Sequence, residues 1–299
     1  MSSTVAASVP RPASLSPLVL ACLAATWLVW GSTYLAIKYA LIGFPPFFQM
    51  GSRFVTAGVL LLAWMRWRGA ALPTLREWRN ALIAGALMLG GGMGGTAYAE
   101  QSVGSGLVVA FIAVVPLMIA LVNLAYGIRP GRWESAGIAV GLIGVLMLTQ
   151  GAGFQASHAG LAAITIACVT WSIGSVWTQQ GLPLARGPMG FASEMICGGV
   201  VLLALSALTG EPPAHPTLAS TVAWAYLVVF GSLIAFNAYM VLLAKSTPGL
   251  ASSYTFVNPV IAMLLGVAVA GEHVTAFEWK AVGVVLAGVV LLMWRPGRA

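Results

Sequence analysis

Long apolar stretches separated by short polar ones run through the whole chain, and strict two-residue alternation is absent from the apolar stretches. Runs of roughly 18 to 24 residues, enough to cross a hydrocarbon core, predict spans at Leu18–Leu41, Pro46–Met65, Ala81–Ala99, Gly106–Tyr126 and Trp133–Gln150. Five more follow at Leu161–Gln179, Met189–Leu208, Val222–Leu243, Leu250–Ala270 and Phe277–Trp294. Helices fit these runs better than barrel strands, because backbone groups in lipid must be bonded within their own segment. The fold class expected is an all-α integral membrane protein with ten transmembrane helices, preceded by a tail over residues 1–17. The first run is too long for a signal-peptide core, has no basic start beyond Arg11 and is followed at once by further spans, so it is read as retained.

Composition agrees with the pattern. Of the 299 residues, 60% are hydrophobic and 7% charged, whereas a soluble domain carries about 25% charged residues. A soluble fold, a disordered tail and a nucleic-acid binder are thereby excluded. The net charge of +7 comes from 14 Lys and Arg against seven acids, all of them Glu. Its meaning is topological. Eleven of the basic residues (Arg11, Arg66, Arg68, Arg76, Arg79, Arg129, Arg132, Arg186, Lys245, Arg295 and Arg298) fall in the N-terminal tail and alternate connections, and none falls in the opposite set. Cytoplasmic loops hold such an excess, so both termini are expected in the cytoplasm. Trp67, Trp78, Trp133, Trp279 and Trp294 stand at span ends, as interfacial anchors do. Cys22, Cys168 and Cys197 lie in apolar runs at unrelated spacings and suggest neither disulfides nor a metal site.

The two halves repeat each other. Thr26-Trp27 recurs as Thr170-Trp171 and Gly31-Ser32 as Gly174-Ser175. Gly106-Leu107 with Pro116 recurs as Gly249-Leu250 with Pro259, and Glu134 with Gly144 as Glu278 with Gly288, always at an offset of 143 or 144. The units are residues 18–151 and 158–296. Five spans per unit is an odd number, so the second copy is expected to enter the membrane upside down, as in secondary transporters with a midplane site exposed alternately to the two sides.

Trp30-Gly31-Ser32-Thr33-Tyr34, Pro45-Pro46, Arg53-Phe54, Ala99-Glu100-Gln101, Ser105-Gly106-Leu107 and Pro116 resemble the first half of EamA-type carriers, and Pro259, Gly271-Glu272, Gly283 and Gly288 the second. The chain thus resembles the drug/metabolite transporter superfamily over nearly its whole length. The resemblance implies ten helices in two inverted copies of five, and efflux of amino acids or related small metabolites across an inner membrane. The partners expected are the lipid bilayer and a small solute, with no nucleic acid, no obligate protein partner, no metal and no cofactor.

Several residues carry candidate chemistry. Gly90, Gly92 and Gly95 match a dinucleotide fingerprint in spacing only, since no strand precedes them. Their run serves close packing or a hinge beside a cavity. Pro116 and Pro259 each remove a backbone donor inside a span, freeing the carbonyls of Ile112 and Thr255, and are read as helix kinks. Lys38 and Glu100 lie near external span ends and are read as snorkelling or paired. Arg53, about two turns inside its helix, needs a structural partner, water or a substrate carboxylate, and Glu194 enters from the cytoplasmic end of the seventh span. Trp27, Trp30, Trp171, Trp177 and Trp224 lie away from span ends or nearly so. A substrate-binding set of Trp30, Tyr34, Tyr98, Gln101, Trp171, Asn237, Tyr239, Tyr254 and Asn258 offers apolar ring faces with polar tips, the alternative for each being packing. Tyr254 and Asn258 share a helix face. The function expected is secondary transport of aromatic or other large neutral amino acids, with organic cations as the alternative. An intramembrane enzyme is disfavoured because Asp is absent and all three His fall in loops.

In a protein freed of its own cysteines, single cysteines in the loops holding Arg76 and Glu211 should label from opposite sides of the membrane. Labelling of both from one side would remove the inverted arrangement.

Overall fold

The computed structural model describes residues 16–103, 108, 111–150, 157–270 and 275–293. Their helices are α1 (Pro17–Ala40), α2 (Pro46–Trp67), α3 (Leu75–Ala99), α4 (Val115–Leu124), α5 (Arg132–Thr149), α6 (His158–Gln180), α7 (Pro188–Leu208), α8 (Leu218–Lys245), α9 (Tyr254–Ala270) and α10 (Ala276–Met293). Six of them, α1, α2, α3, α6, α7 and α8, are long and apolar enough to cross a membrane. The expected fourth span is shorter in its described part, and the motif residues Ser105, Gly106, Leu107, Gly271 and Glu272 lie outside the described residues, as do Arg11, Trp294, Arg295 and Arg298.

Helix starts follow from local chemistry. The first N–H groups of a helix have no internal partner, and at several starts a side chain supplies one. Ser16 accepts from Val19 N at the start of α1, and Ser157 from Gly160 N at the start of α6. Capping boxes open α3 (Thr74 with Glu77) and α8 (Thr217 with Ser220). Pro46 and Pro188 begin α2 and α7, where a missing N–H costs nothing. Two starts borrow an acid from elsewhere in the chain. Phe47 and Phe48 N–H both donate to the Glu211 carboxylate at 2.8 Å, and Gly249 N–H donates to Glu134 Oε1 at 2.7 Å.

The packing has a pattern. Helix α2 lies against α7 and α5 against α10; α3 lies against α6 as α8 does against α1, α4 against α6 as α9 against α1, and α3 against α7 as α8 against α2. Replacing each helix by the one five places along maps this pattern onto itself. The α2–α7 pair is antiparallel: Gly51 meets Gly199 and Leu203, while Gly58 meets Ala192 and Ile196. The α5–α10 pair is antiparallel too, with Gly137 at Gly288 and Leu292 and Gly144 at Val285. These approaches need glycine, since a Cβ on Gly199 would lie 2.8 Å from Val55 N and 2.9 Å from Gly51 O. Both α3 and α8 widen into π-helix at their centres, over Ala86–Gly94 and Leu227–Ile234.

The proline kinks take a different form from the sequence expectation. A turn at Ala113–Val114 interrupts the chain before α4, which then begins with Pro116 in its first turn. A one-turn helix, Pro248–Ala251, is separated from α9 by the turn at Ser252–Ser253. Pro259 sits within α9, downstream of that break. The break before α4 puts Pro116 in a first helical turn, where a proline is accommodated more cheaply than in an interior; Pro259 stays inside α9.

Gly199→Leu should lower the thermal midpoint in detergent by an amount equivalent to about 1–3 kcal/mol of overpacking. Gly283→Ala, with nothing within 4 Å of its added carbon, should leave the midpoint nearly unchanged; equal effects would mean that α2 and α7 do not meet through glycine.

Candidate functional site

A face of α1 carries Trp30, Thr33, Tyr34 and Ile37, spaced to lie one above another on a helix. Ala167, Cys168 and Trp171 do the same on α6, and Tyr254 and Asn258 on α9. With Gly92, Met93 and Thr96 of α3, Ile112 and Val115 they enclose a cavity whose water-accessible core is about 60 Å³. Trp30 and Trp171 stand a little past the middle of their helices of 24 and 23 residues. The cavity meets both discontinuous segments: Val115 follows the break before α4, and Tyr254 the break before α9.

Aromatic rings form its wall. The Trp30 centroid lies 4.7 Å from Tyr254, 5.2 Å from Tyr239 and 5.9 Å from Trp171, and Tyr239 lies 5.4 Å from both Trp171 and Tyr254. Tilted and edge-on contacts of this kind add about 0.5–1.5 kcal/mol each beyond area burial. The polar tips are mostly engaged. Trp30 Nε1 donates to Gly231 O at 3.1 Å, Tyr239 Oη and Ser175 Oγ are 3.0 Å apart, and Trp27 Nε1 donates to Ser253 Oγ at 3.0 Å. Trp171 Nε1 is buried without a hydrogen-bond acceptor in bonding geometry. With its amide nitrogen turned to the Trp27 and Tyr254 carbonyls, Asn258 donates at 3.3 and 3.0 Å, tying α9 to α1. The absence of a side chain at Gly92 admits Trp171, whose Cε3 would lie 2.8 Å from a Cβ there.

A second, larger cavity of about 550 Å³ lies at the α1–α2 turn. Residues 41–47 of that turn line it together with Tyr98, Gln101, residues 209–213 and His215. The Glu211 carboxylate on the start of α2 and the bond from His215 N to Gly43 O, 2.9 Å, hold its walls together.

The nine candidate residues therefore separate. Trp30, Tyr34, Trp171, Tyr254 and Asn258 line the central cavity, and Tyr239 backs its rings. Tyr98 and Gln101 line the outer cavity instead, Tyr98 stacked 5.7 Å from Phe47, because both residues come at the end of α3. Asn237 lines neither described cavity: its Nδ2 bonds back to Leu233 O at 2.7 Å, and its buried Oδ1 has no partner. Among the remaining tryptophans, Trp224 donates to Ser52 Oγ at 3.1 Å and Trp177 is half-exposed. Thr33, Met93, Thr96 and Cys168 were not in the sequence set. Helical spacing from Trp30 and Trp171 leads to Thr33 and Cys168, and Met93 falls in the glycine run read as packing or a hinge beside a cavity; nothing in the sequence leads to Thr96.

Apolar helices packed around an aromatic-lined cavity, six of them long enough to cross a membrane, are the architecture of a multi-pass membrane protein. The model of the EamA-like transporter family matches residues 15–150 and again 158–294, so the chain belongs to that family, within the drug/metabolite transporter superfamily. It is 42% identical over 270 residues to a protein of Escherichia coli (strain K12) named "Uncharacterized inner membrane transporter YedA", covering 90% of this chain and 88% of that one. It is 28% identical to "Protein PecM" of Dickeya dadantii over 80% of both chains, and 23% identical to a "Probable amino-acid metabolite efflux pump" of Salmonella typhimurium over 89% of both. A solved crystal structure superposes with a TM-score of 0.77 at 22% identity, over 93% of this chain and 98% of that one, and so shares the fold.

Gly92→Ala should lower thermal stability by displacing Trp171, at a cost of about 1–3 kcal/mol. In a Trp171→Leu background the same change should cost much less, since residues in contact are not additive. Strict additivity of the two changes would mean that the glycine does not serve the ring.

Proposed function

We propose that the protein is a secondary exporter of uncharged, bulky amino acids, aromatic or large neutral ones, and of related small metabolites. It works by alternating access between two inverted five-helix repeats, residues 18–151 and 158–296, that together make ten transmembrane helices. Both termini face the cytoplasm, and the membrane is the inner one, as in the printed name of the YedA relative. The observation that carries this reading is the convergence of Trp30, Trp171, Tyr239 and Tyr254 with Asn258 beside the breaks in two helices related by the repeat. Discontinuous helices at mid-depth leave backbone groups available to a polar solute, and the rings supply apolar faces for its side chain.

Antiparallel packing of α2 on α7 and of α5 on α10 supports the inverted relation, because each pair joins equivalent helices of the two units. The size of the cavity supports alternating access. Pockets for small molecules measure about 300–1,000 Å³, so a core of about 60 Å³ must widen before a solute of amino-acid size can sit in it. The printed name of the Salmonella relative supports the solute class. A second reading, export of organic cations, is favoured by one observation, the approach of four aromatic rings as in a cage for an ammonium group.

Purified protein in liposomes should exchange radiolabelled phenylalanine or leucine for the unlabelled amino acid, and should exchange glucose and succinate much less. Preference for a quaternary ammonium over every amino acid would replace the first reading by the second, and exchange of nothing would remove both. Trp30→Ala and Trp171→Ala should weaken exchange while the protein stays folded in the membrane. Asn258→Ala should cost about tenfold in affinity, on the order of 1.4 kcal/mol, with a smaller loss of thermal stability; the reverse balance would make Asn258 only a link between α1 and α9.

A further inference from the structure

Arg53 and Gln49 stand one helical turn apart on α2, and both are completely buried. The guanidinium has few partners. Nε donates to Ser232 Oγ at 2.7 Å, Nη1 has only the Met50 sulfur at 3.5 Å, and the guanidinium carbon lies 4.7 Å from the centre of the Phe54 ring. Nη2 is buried with no hydrogen-bond partner, and so are both amide atoms of Gln49. Among the described residues no acidic side chain pairs with Arg53. A cation held away from water without a counter-ion is among the most costly arrangements in a membrane protein. Buried polar atoms left unused usually mark a missing partner.

The surroundings of Arg53 say where that partner comes from. Its neighbour across the helix contact is Gly231, inside the π-helical stretch of α8. A Cβ at Gly231 would lie 2.8 Å from Nη2 and 3.2 Å from Thr33 Cγ2. Gly231 O accepts the Trp30 indole N–H. Trp30 and Thr33 both line the central cavity, so the guanidinium stands one layer behind that wall, with a residue lacking a side chain between them. A π-helical stretch is a common place for local rearrangement at functional sites.

We propose that Arg53 and Gln49 form a binding site for a small monovalent anion behind the Trp30–Thr33 wall. The anion is either the carboxylate of the transported solute or an inorganic halide. Nη2 supplies the charge-assisted bond and the Gln49 amide a neutral donor. The inference deepens the carrier reading above, on which its carboxylate form rests, by making the solute carry an acid group.

The test measures binding and transport separately. Thermal midpoints of the purified protein are recorded in a sulfate buffer of constant ionic strength with phenylalanine, with phenylalaninol, which keeps ring and amine but lacks the carboxylate, and with sodium chloride. If the solute's carboxylate fills the site, phenylalanine raises the midpoint and binds at least tenfold more tightly than phenylalaninol. If a halide fills it, chloride alone raises the midpoint and the two organic ligands bind alike. Either response should disappear in Arg53→Gln. Because that variant also loses a packed buried group, Gly231→Ala provides a second arm: it keeps the charge but crowds Nη2 with its added carbon, and should weaken the same response about tenfold. Gln49→Leu should weaken it less. No response to either anion in the wild type, or a response unchanged in folded Arg53→Gln or Gly231→Ala, overturns the site. Exchange assays in liposomes keep the two readings apart. Equal exchange of phenylalanine and phenylalaninol, with no chloride effect, leaves the carrier and removes the anion site, whereas an Arg53-dependent anion response without exchange of any solute keeps the site and removes the carrier.

Discussion

Backbone hydrogen bonding in an apolar surrounding is the constraint on which the structure depends. Lipid offers no donors or acceptors, so each helix must satisfy itself along its length, and several find side-chain partners at their ends. The capping boxes of α3 and α8 and the Ser caps of α1 and α6 do this locally. Glu211 and Glu134 do it at long range. Each uses a carboxylate where the helix dipole favours negative charge, and each fastens a connection of one half of the chain to a helix of the other: Glu211 reaches α2, and Glu134 reaches the turn before α9. Two of the few acids in the chain are thus committed to holding the halves in register.

The second level of organisation is close approach. Between helices in lipid the hydrophobic effect gives little, and packing of small residues gives most of the association. Gly51, Gly58 and Gly199 bring α2 and α7 into backbone contact, and Gly137, Gly144 and Gly288 do so for α5 and α10. The cavity lies where this rule is relaxed. The π-helical stretches of α3 and α8 place Gly92 against Trp171 and Gly231 against Arg53, so that glycine there makes room for a large side chain instead of for a neighbouring backbone.

Around the cavity, aromatic faces and engaged polar tips produce a wall that is apolar but anchored. Trp30 is the common element: it touches three other rings and is fixed through Gly231 to α8. Moving Trp30 would therefore disturb contacts of α1 with α6, α8 and α9 at once. Among the described residues, no acidic or basic side chain lines this cavity. Arg53 is wholly buried outside the cavity lining, and both oxygens of Glu194 are buried without partners.

The sequence alone determined the membrane class, the approximate positions of the six long apolar helices and the internal repeat that the family model matches twice. Hydrophobic length is a property of a contiguous segment, and the Thr-Trp, Gly-Ser and Gly-Leu…Pro matches recur at an offset of 143 or 144 whatever the fold. It also brought out Trp30, Trp171, Tyr254 and Asn258, since large amphipathic residues away from span ends stand out against an apolar background. Depth and facing were decided only by tertiary structure. Tyr98 and Gln101 resemble the other candidates in type but come at the end of α3, and so line the outer cavity. Asn237 turns its amide back on its own helix. Pro116 opens a helix after a turn instead of kinking one, which only the folded chain shows. The roles of Gly92 and Gly231 are legible only from what faces them. Side chains from helices far apart in sequence share one wall because packing, which depends on all the helices at once, sets their rotation and depth; a pattern along one segment carries neither.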